Sequence, residues 1–332
     1  MFNSATRRNL MAVAAALGTA VSLAQAQAQT QVWPQRSVTL IVSQAAGASP
    51  DVMARLIADR LTAQLKQGVI VENKPGGGNV IGTVAAARAA PDGNTFFFAT
   101  SAALVNNPFL MKALTYDPVK DFVPVALVTR SSQLFVVHPD VPAKTLPELI
   151  ALEKKEPGKF SVAVDSPRNL AGVTAQAFNL RAGTKMVLVP YPNINSGVQD
   201  TLAGRVQVGV FSVSIVEALV RDGKLRAIAS VADKRLSGFP DLPTAAETIP
   251  GFDMSGWFMV LAPAGTPASI IADMNKALNE AGKDAKVREM APKLGFEMNP
   301  AGMGTPTDAS AFLKQQLALW EKLFKELGIE PQ

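Results

Sequence analysis

The stretch that decides the fold runs from Val71 to Gly82 and reads Val-Glu-Asn-Lys-Pro-Gly-Gly-Gly-Asn-Val-Ile-Gly. It predicts a strand that ends at Glu72, a tight turn at glycines 76–78, and a helix over residues 80–88. A second turn at residues 91–95 leads into another strand. In such a unit the helix N-terminus points at whatever lies above the sheet edge, where its backbone amides favour an anion.

The rest of the chain alternates strand-like and helix-like segments, which predicts α/β domains with mainly parallel sheets. Val38–Val42 is a continuous apolar run, typical of a strand buried on both faces. After the next loop we expect Ser49 to be the N-cap of a helix, with Pro50 at its first position and Asp51 in its first turn. A ligand is expected in the crevice outside the carboxyl ends of such strands.

A second series of strands and helices occupies the middle of the chain. The predicted elements are, in order, a strand at 160–164, a helix at Leu170–Ala182 closed by Gly183, a strand at 186–189, a helix at 195–203, and strands at 206–211 and 225–230. Segments 125–137 and 252–263 are expected to cross between two lobes, so that the first lobe is discontinuous. The last helix carries an apolar stripe that predicts core packing, formed by Leu313, Leu317, Trp320, Phe324 and Leu327.

The composition excludes several classes of protein. The chain has no cysteine, so neither disulfides nor thiolate chemistry are available to it. Its formal net charge is +5 at pH 7, and Arg7 and Arg8 in the N-terminal segment contribute to that charge. The remaining charge is too weak for the chain length to indicate nucleic-acid binding. We expect no nucleic-acid partner, no cofactor and no metal.

The N-terminal segment predicts export from the cytoplasm. Arg7 and Arg8 precede an apolar stretch at 10–23, and residues 24–28 offer the small-x-small pattern of a signal peptidase site. The apolar stretch is too short to span a bilayer. Residues 1–28 are therefore predicted to be a signal peptide that directs the mature protein to the periplasm. The paired arginines leave both Sec and Tat export open.

Several short motifs follow the glycine stretch in a definite order. They are Pro-Asp-Gly-Asn-Thr at 91–95, Tyr-Asp-Pro-Val-Lys-Asp-Phe at 116–122, Gly-Lys-Leu-Arg-Ala at 223–227, Pro-Asp-Leu-Pro-Thr-Ala-Ala-Glu at 240–247, and Trp257 followed by Pro-Ala-Gly-Thr-Pro at 263–267. In this order they resemble the substrate-binding proteins of tripartite tricarboxylate transporters, the Bug family. The resemblance implies a two-lobed periplasmic-binding-protein fold (Venus flytrap, type II) with two crossover segments. Lobe 1 is expected to comprise residues 29–129 and 255–332, and lobe 2 residues 130–254.

The resemblance also implies a function without catalysis. The chain is expected to capture a small carboxylate between its lobes as a monomer and to deliver it to membrane transporter subunits. The residues expected to contact the ligand lie on five segments: Ser43, Gln44, Ala46, Gly47, Ala48 and Asp51; Asn79; Ser101 and Ala102; Ser166, Arg168 and Asn169; and Tyr191 with Asp200. Backbone amides at helix N-termini are expected to hold the carboxylate without a buried cation.

Departures from the family motifs bear on the ligand. Ser43 and Gln44 stand where the family usually has apolar residues, Arg168 where a small residue is usual, and Asn169 where it has histidine. The polar pair and Arg168 lead us to expect a ligand with two polar ends. Arg168 either forms a bidentate ion pair with a second carboxylate of the ligand or lies in solvent at the rim of the site. For Asp200, capping a loop is favoured over fixing the site.

The same residues bear on nucleotide binding, metal binding and hydrolysis as other possible functions. The glycines at 76–82 approach the dinucleotide-binding fingerprint, but Ile81 occupies its third glycine position. The single histidine, His138, has no cysteine or second histidine beside it for a metal site, and the chain has no Gly-x-Ser-x-Gly motif for a nucleophile. A receptor whose ligand-dependent closure is read by a membrane sensor protein remains open beside transport. A secreted hydrolase would be reconsidered only if the protein turned over a candidate ligand.

Overall fold

Two β-sheets organise residues 33–331, the part of the chain that the computed structural model describes. The strands of the first sheet are β1 Val38–Val42, β2 Val69–Asn73, β3 Thr95–Thr100, β4 Phe122–Ser131, β10 Gly256–Pro263 and β11 Phe296–Glu297. Those of the second are β5 Gln133–Val137, β6 Ser161–Val164, β7 Val187–Pro190, β8 Val208–Ser212 and β9 Arg226–Ser230. The strand orders are β11-β4-β10-β3-β1-β2 and β7-β6-β8-β5-β9. The predicted signal peptide lies outside the described residues.

Helices connect these strands. They are α1 Ser49–Leu65, α2 Val80–Ala87, a π-helix Ala102–Asn106 that runs into α3 Asn107–Leu110, α4 Leu146–Lys155, α5 Leu170–Ala182, α6 Ile194–Leu202, α7 Val213–Arg221, α8 Ala245–Thr248, α9 Ala268–Lys283, α10 Ala285–Lys293 and α11 Pro306–Glu326. Across residues 33–331, no helix combines the length and the apolar character that crossing a membrane requires.

The sheets are mixed, so the prediction of mainly parallel sheets is wrong. β1 runs parallel to β2 and β3, and β6 runs parallel to β7 and β8. By contrast, β10 is antiparallel to β3 and β4, and β5 is antiparallel to β8 and β9. The two-residue strand β11 is also antiparallel to β4. β5 and β10 are the first strands after the two passages between the sheets, where no crossover helix is needed to set the strand direction.

The chain passes between the sheets twice. It leaves the six-stranded sheet at Ser131 and joins the five-stranded sheet at Gln133, with Ser132 alone between them. It returns between Ser230 and Gly256. From Arg36 onward the chain forms one compact unit, so loops from both sheets contact each other. The exact lobe boundaries stay a prediction.

The glycine stretch folds as its sequence predicts, to within one residue at each end of the unit. β2 ends at Asn73 and α2 covers Val80–Ala87. Gly76, Gly77 and Gly78 have φ angles of 122°, 58° and 62°, a region that side chains rarely adopt. A Cβ atom on Gly82 would lie 2.7 Å from the Lys74 carbonyl oxygen and 2.7 Å from Ser43 Cα. Helix α2 therefore packs directly against the backbone that follows β1.

The start of α1 differs from the prediction by one residue. Ala48, not Ser49, is the N-cap, and no side chain caps the helix from that position. Asp51 in the first turn instead ties the helix to the loop before it, because its Oδ2 accepts a hydrogen bond from the Gly47 amide at 2.8 Å. Arg55 holds the other carboxylate oxygen of Asp51 at 2.8 Å. The Ser49 hydroxyl is left buried without a hydrogen-bond partner.

The remaining predictions about single elements hold closely. Helix α5 begins and ends where predicted, and Gly183 closes it in the left-handed conformation. The other elements predicted in the middle of the chain differ from β6, β7, α6, β8 and β9 by one or two residues at an end. The apolar stripe of α11 is core: Leu313, Trp320 and Phe324 are buried, and Leu317 and Leu327 pack against the same cluster.

The close approach at Gly82 leads to a first prediction. Replacing glycine by alanine inside a helix ordinarily stabilises a protein by about 0.5–1 kcal/mol. We expect Gly82→Ala instead to lower the free energy of unfolding by about 1–3 kcal/mol, because the new methyl group meets backbone atoms. Urea denaturation measures this difference.

The control is Gly68→Ala, whose new methyl would meet the Ser37 hydroxyl at 3.3 Å, a side chain that is free to rotate. This variant should change stability by less than about 0.5 kcal/mol. A Gly82→Ala protein as stable as its parent would contradict the packing described here.

Candidate functional site

Two adjoining cavities lie where loops from both sheets meet. The larger has a volume of about 250 Å³ and is lined by residues 43–46, Ala48, residues 75–79, Asp165, Ser166, Asn169 and residues 192–195. The smaller has a volume of about 50 Å³ and is lined by Gln44, Ser49, Pro50, residues 100–102, Ser131, Gln133, Asp165, Leu170, Ser212, Gly256 and Phe258. Gln44 and Asp165 line both cavities, so they form one composite site between the sheets.

This composite site is favoured over a larger cavity elsewhere. A cavity of about 500 Å³ lies between β4 and α11, with walls that include Leu127, Met298, Met303 and Phe312. Its walls also carry Arg130, Glu297 and Asp308, but it does not lie between loops of the two sheets. The composite site lies at the carboxyl ends of β1, β3, β6, β7 and β8. In open α/β sheets that end is where ligands bind.

The structure brings together most of the predicted site residues. Ser43, Gln44, Ala46, Ala48, Asn79, Ser166 and Asn169 line the larger cavity, and Ser101 and Ala102 line the smaller one. Gly47, Asp51, Arg168, Tyr191 and Asp200 lie outside both walls. Contact of any of these residues with a ligand stays a prediction.

Some of the predicted site residues that lie outside the cavity walls support the loops that form those walls. Tyr191 donates a hydrogen bond from its hydroxyl to Asp200 Oδ2 at 2.8 Å, and Arg205 pairs with Asp200 Oδ1 at 2.7 Å. Hydrogen bonds from Arg205 and Tyr191 lower the pKa of Asp200. This cluster ties the end of β7 to helix α6 on either side of the wall segment 192–195. Arg168 is half-buried, and its backbone carbonyl accepts a hydrogen bond from Asn106 Nδ2 at 3.3 Å.

The cavity walls also contain residues that the sequence-based site omits. They are Ser49, Thr100, Ser131, Gln133, Asp165, Ser212, Asn193 and Asn195, among others. Asp165 had a detectable signal, because a polar residue directly after a buried strand lies at the binding edge of a parallel sheet. No sequence pattern marks Gln133 as a site residue, because its strand reaches the site only through the first passage between the sheets.

Helix N-termini converge on the composite site. Ser49 begins α1, Leu170 begins α5 and Ile194 begins α6, and each of these residues lies in a cavity wall. Asn79 precedes α2, and Ala102 begins the π-helix. The free amides and partial positive charge of helix N-termini favour an anion. Within residues 33–331 no lysine or arginine lines either cavity, so these amides are the main anion-binding groups.

Hydrogen bonds bridge the two sides of the site. Ser43 Oγ donates to Asn79 Oδ1 at 3.2 Å, and Asn79 Nδ2 donates to Asn169 Oδ1 at 2.9 Å. Asn79 belongs to the connection between β2 and α2 of the first sheet, and Asn169 to the loop after β6 of the second. Together with the bond from Asn106 to Arg168, this bridge links loops that belong to different sheets.

Asp165 has the most unusual electrostatics of the wall residues. Its Oδ1 accepts a hydrogen bond from the Ser166 amide at 2.9 Å. Burial raises the pKa of Asp165 to about 6, and the hydrogen bonds from Ser166 and Asn169 offset only part of that effect. Near neutral pH the carboxylate is therefore ionised at a cost to the stability of the folded protein.

His138 is the single histidine of the chain, and its contacts are local. His138 Nδ1 accepts a hydrogen bond from the Asp140 amide at 3.2 Å, and its ring packs against Gly204. These contacts are with its own loop and with the turn that follows α6. No group of three or more histidine, aspartate or glutamate side chains is arranged to hold a metal ion in the described part of the chain.

Comparison with known proteins identifies the family. The model of the tripartite tricarboxylate transporter family receptor matches residues 53–329. BugT of Bordetella pertussis is 33% identical over 324 residues, which cover 96% of this chain and 98% of that protein. The chain therefore belongs to the tripartite tricarboxylate transporter receptor family, and the family predicted from the sequence motifs is confirmed.

Solved structures agree with this assignment. An R. palustris protein with adipate has a TM-score of 0.85 at 29% identity, covering 90% of this chain and 100% of that one. The periplasmic binding protein BugD has a TM-score of 0.84 at 31% identity, with coverage of 90% and 100%. MatC from Rhodopseudomonas palustris with bound malate has a TM-score of 0.80 at 29% identity, with coverage of 88% and 99%. These likenesses confirm the two-lobed periplasmic-binding-protein fold, and these relatives are solute-binding proteins.

The raised pKa of Asp165 leads to a second prediction, for Asp165→Asn without ligand. The carboxyl group is neutral in both folded and unfolded states below about pH 4, and ionising it destabilises the folded state fully above about pH 6. The variant should exceed its parent in stability above pH 6, by at most about 3 kcal/mol. This advantage should fade as the pH falls from 6 to 4. Urea denaturation at pH 7.5 and pH 4 measures it.

Asp51→Asn provides a control for which the change in stability at pH 7.5 should have the opposite sign. Burial acts to raise the pKa of Asp51, but hydrogen bonds from Arg55 and the Gly47 amide outweigh it and lower this pKa. Removing that charge should destabilise the protein at pH 7.5. If Asp165→Asn were no more stable than its parent at pH 7.5, the proposed burial of the Asp165 carboxylate would be refuted.

Proposed function

We propose that this chain is a periplasmic solute-binding protein that captures a small carboxylate between its lobes and delivers it to the membrane subunits of a tripartite tricarboxylate-type transporter. The observation that carries the proposal is the composite site, where several helix N-termini meet and no cationic side chain lines the walls within residues 33–331. Such a site suits a carboxylate held by backbone amides. Relatives with bound adipate and malate support this ligand class.

The proposed mechanism is closure without chemistry. Residues 29–129 and 255–332 form lobe 1, residues 130–254 form lobe 2, and the short passage at Ser132 serves as part of the hinge. A ligand that contacts both lobes shifts the population toward the closed form, which the transporter recognises. The protein acts as a monomer and catalyses no reaction. Residues 1–28 serve as the export signal that brings it to the periplasm.

The ligand contacts follow from the cavity walls. In this proposal the amides at the starts of α1 and α5 hold one carboxylate, and Ser43, Gln44 and Ser101 orient it through their side chains. Asn79 and Asn169 close the site from opposite lobes through their mutual hydrogen bond. Arg168 is proposed to lie beside this bridge, because its backbone carbonyl accepts a hydrogen bond from Asn106 of the other lobe.

A thermal-shift screen tests the ligand class. The protein is unfolded, stripped of any retained ligand and refolded, and is then screened against mono-, di- and tricarboxylates, amino acids and aromatic acids. A ligand at a hundredfold excess over its dissociation constant stabilises the folded state by about 2.7 kcal/mol, which moves the midpoint visibly. We expect a saturable shift with carboxylates and no product. The absence of a shift with every carboxylate would refute the proposed ligand class.

The bond between lobes provides a further test. Asn106 is buried and donates to the Arg168 carbonyl at 3.3 Å, but it lies outside both cavity walls. Asn106→Ala should weaken ligand binding by about 2- to 10-fold, because a hydrogen bond made in the closed form contributes about 0.5–1.5 kcal/mol. Isothermal titration with the best ligand from the screen measures this change.

Asn279→Ala is the matched control. Asn279 donates to the Gly304 carbonyl at 3.0 Å and accepts from the Met303 amide at 2.9 Å, and none of these residues lines the composite site. This variant should lose stability but keep the parental affinity. Equal affinities for the parent and Asn106→Ala would show that closure does not depend on this bond.

A further inference from the structure

Three strands of each sheet correspond to one another across the boundary between the sheets. In the first sheet they lie in the order β11-β4-β10, and in the second in the order β8-β5-β9. The chain joins β4 to β5 through Ser132, and it joins β9 to β10 through residues 231–255. The third pair, β11 and β8, has no such chain connection, because these two strands are far apart in the sequence.

The ends of β11 and β8 nevertheless meet beside Ser132. The Ser132 amide donates a hydrogen bond to the carbonyl of Gly295, the residue before β11, at 3.1 Å. The Ser132 carbonyl accepts a hydrogen bond from the amide of Val213, the residue after β8, at 3.3 Å. A Cβ atom on Gly295 would lie only 2.4 Å from Cβ of the buried Val213. The two ends therefore abut each other with no room for a side chain between them.

The same segment of the first sheet also contacts the return passage. The Ser237 amide donates to Glu297 Oε1 at 2.9 Å, and the Ser237 hydroxyl lies 2.8 Å from Oε1 and 3.0 Å from Oε2 of that carboxylate. A Cβ atom on Gly238 would lie 2.2 Å from the Pro292 carbonyl oxygen. Residues 292–297, which belong to predicted lobe 1, thus contact predicted lobe 2 along their whole length.

This contact limits the ways in which the lobes can move. Two neighbouring chain passages on their own form a hinge that can both bend and twist. Twisting would compress or separate the backbones that abut at Gly295, and packed protein atoms resist such changes. Bending about Ser132 moves the contact little, because Ser132 is hydrogen-bonded to both of its sides. The contact therefore opposes twisting more than bending.

We propose that residues 292–297 form a third, non-covalent connection between the lobes, which is made in the open and closed forms alike and restricts their motion to one bending axis. Fewer arrangements are then open to the ligand-free protein, so a ligand that closes the lobes has less freedom to remove. Ligand affinity thus depends on residues that lie outside both cavity walls. The inference rests on the proposed function only in assuming that the lobes open and close.

The test measures the distance between the lobes without any ligand. The chain has no cysteine, so Lys112→Cys and Gln199→Cys place one spin label on each predicted lobe, at exposed positions outside both cavity walls. Double electron–electron resonance of the ligand-stripped full chain gives the distribution of the distance between the labels. Gly295→Ala should widen this distribution, because the new methyl group meets Val213 and forces the two ends apart.

Gly223→Ala is the matched control. Gly223 has a φ angle of 70° and Gly295 one of 74°, so alanine is strained in the same backbone conformation at both positions. Nothing lies within 4 Å of a Cβ atom on Gly223, so this variant should keep the parental distribution. Glu297→Ala adds no atoms and removes the hydrogen bonds from Ser237, so it should widen the distribution less than Gly295→Ala does. Urea denaturation checks that each variant is folded.

Affinity provides a second readout. Malate and adipate are titrated into the parent and the variants by isothermal calorimetry. Gly295→Ala should lower the affinity for whichever of the two the parent binds by about fivefold or more, as is typical of coupling between distant sites. Gly223→Ala should keep the parental affinity.

The outcomes separate this inference from the proposed function. Equal distance distributions for the parent and Gly295→Ala would overturn the third connection as a constraint on the ligand-free hinge, even if the affinity changed. An equally widened distribution in Gly223→Ala would assign the effect to backbone strain and would overturn it as well. If neither malate nor adipate bound the parent, the result would count against the proposed ligand class, and the distances without ligand would still decide this inference.

Discussion

The close packing of helix α2 on the backbone after β1 is the constraint on which the site depends. Gly82 has no room for a side chain against Ser43 and Lys74, so the two segments are held at backbone contact distance. This contact brings Asn79, at the N-terminus of α2, next to Ser43. From there Asn79 reaches Asn169 on the other sheet. The packing at Gly82 thus helps to position the first-sheet partner of the hydrogen bond to Asn169.

Electrostatically, the site combines two opposing features. Helix N-termini favour negative charge, whereas Asp165 supplies a negative charge of its own. Burial raises the pKa of Asp165, because its carboxylate is poorly solvated between the cavity walls. A binding site that destabilises one of its own groups without ligand can recover that free energy when a complementary group arrives.

Much of the fold was predictable because it is encoded in local patterns. Apolar runs bounded by glycine and proline located β1, β2 and α2, and Gly183 marked the end of α5. The mixed strand directions were not predictable in this way. Periodicity reveals that a segment is a strand, but the partner and direction of β5 and β10 depend on passages between sheets that no local signal reports. The start of α1 was misplaced by one residue, because Ser49 already belongs to the helix and Ala48 precedes it in an extended conformation.

The sequence by itself determined the family, the two-lobed α/β architecture and most of the loops that form the site, because turn residues and motif order act locally. Only the tertiary structure decided which side chains face the ligand space. Tyr191 and Asp200 form a hydrogen bond with each other outside the cavity walls. Gln133 at the start of β5 and Asp165 after β6 line the same cavity. The reason is physical: burial and the raised pKa of a carboxyl group result from what surrounds it in three dimensions, and those surroundings come from segments distant in the chain.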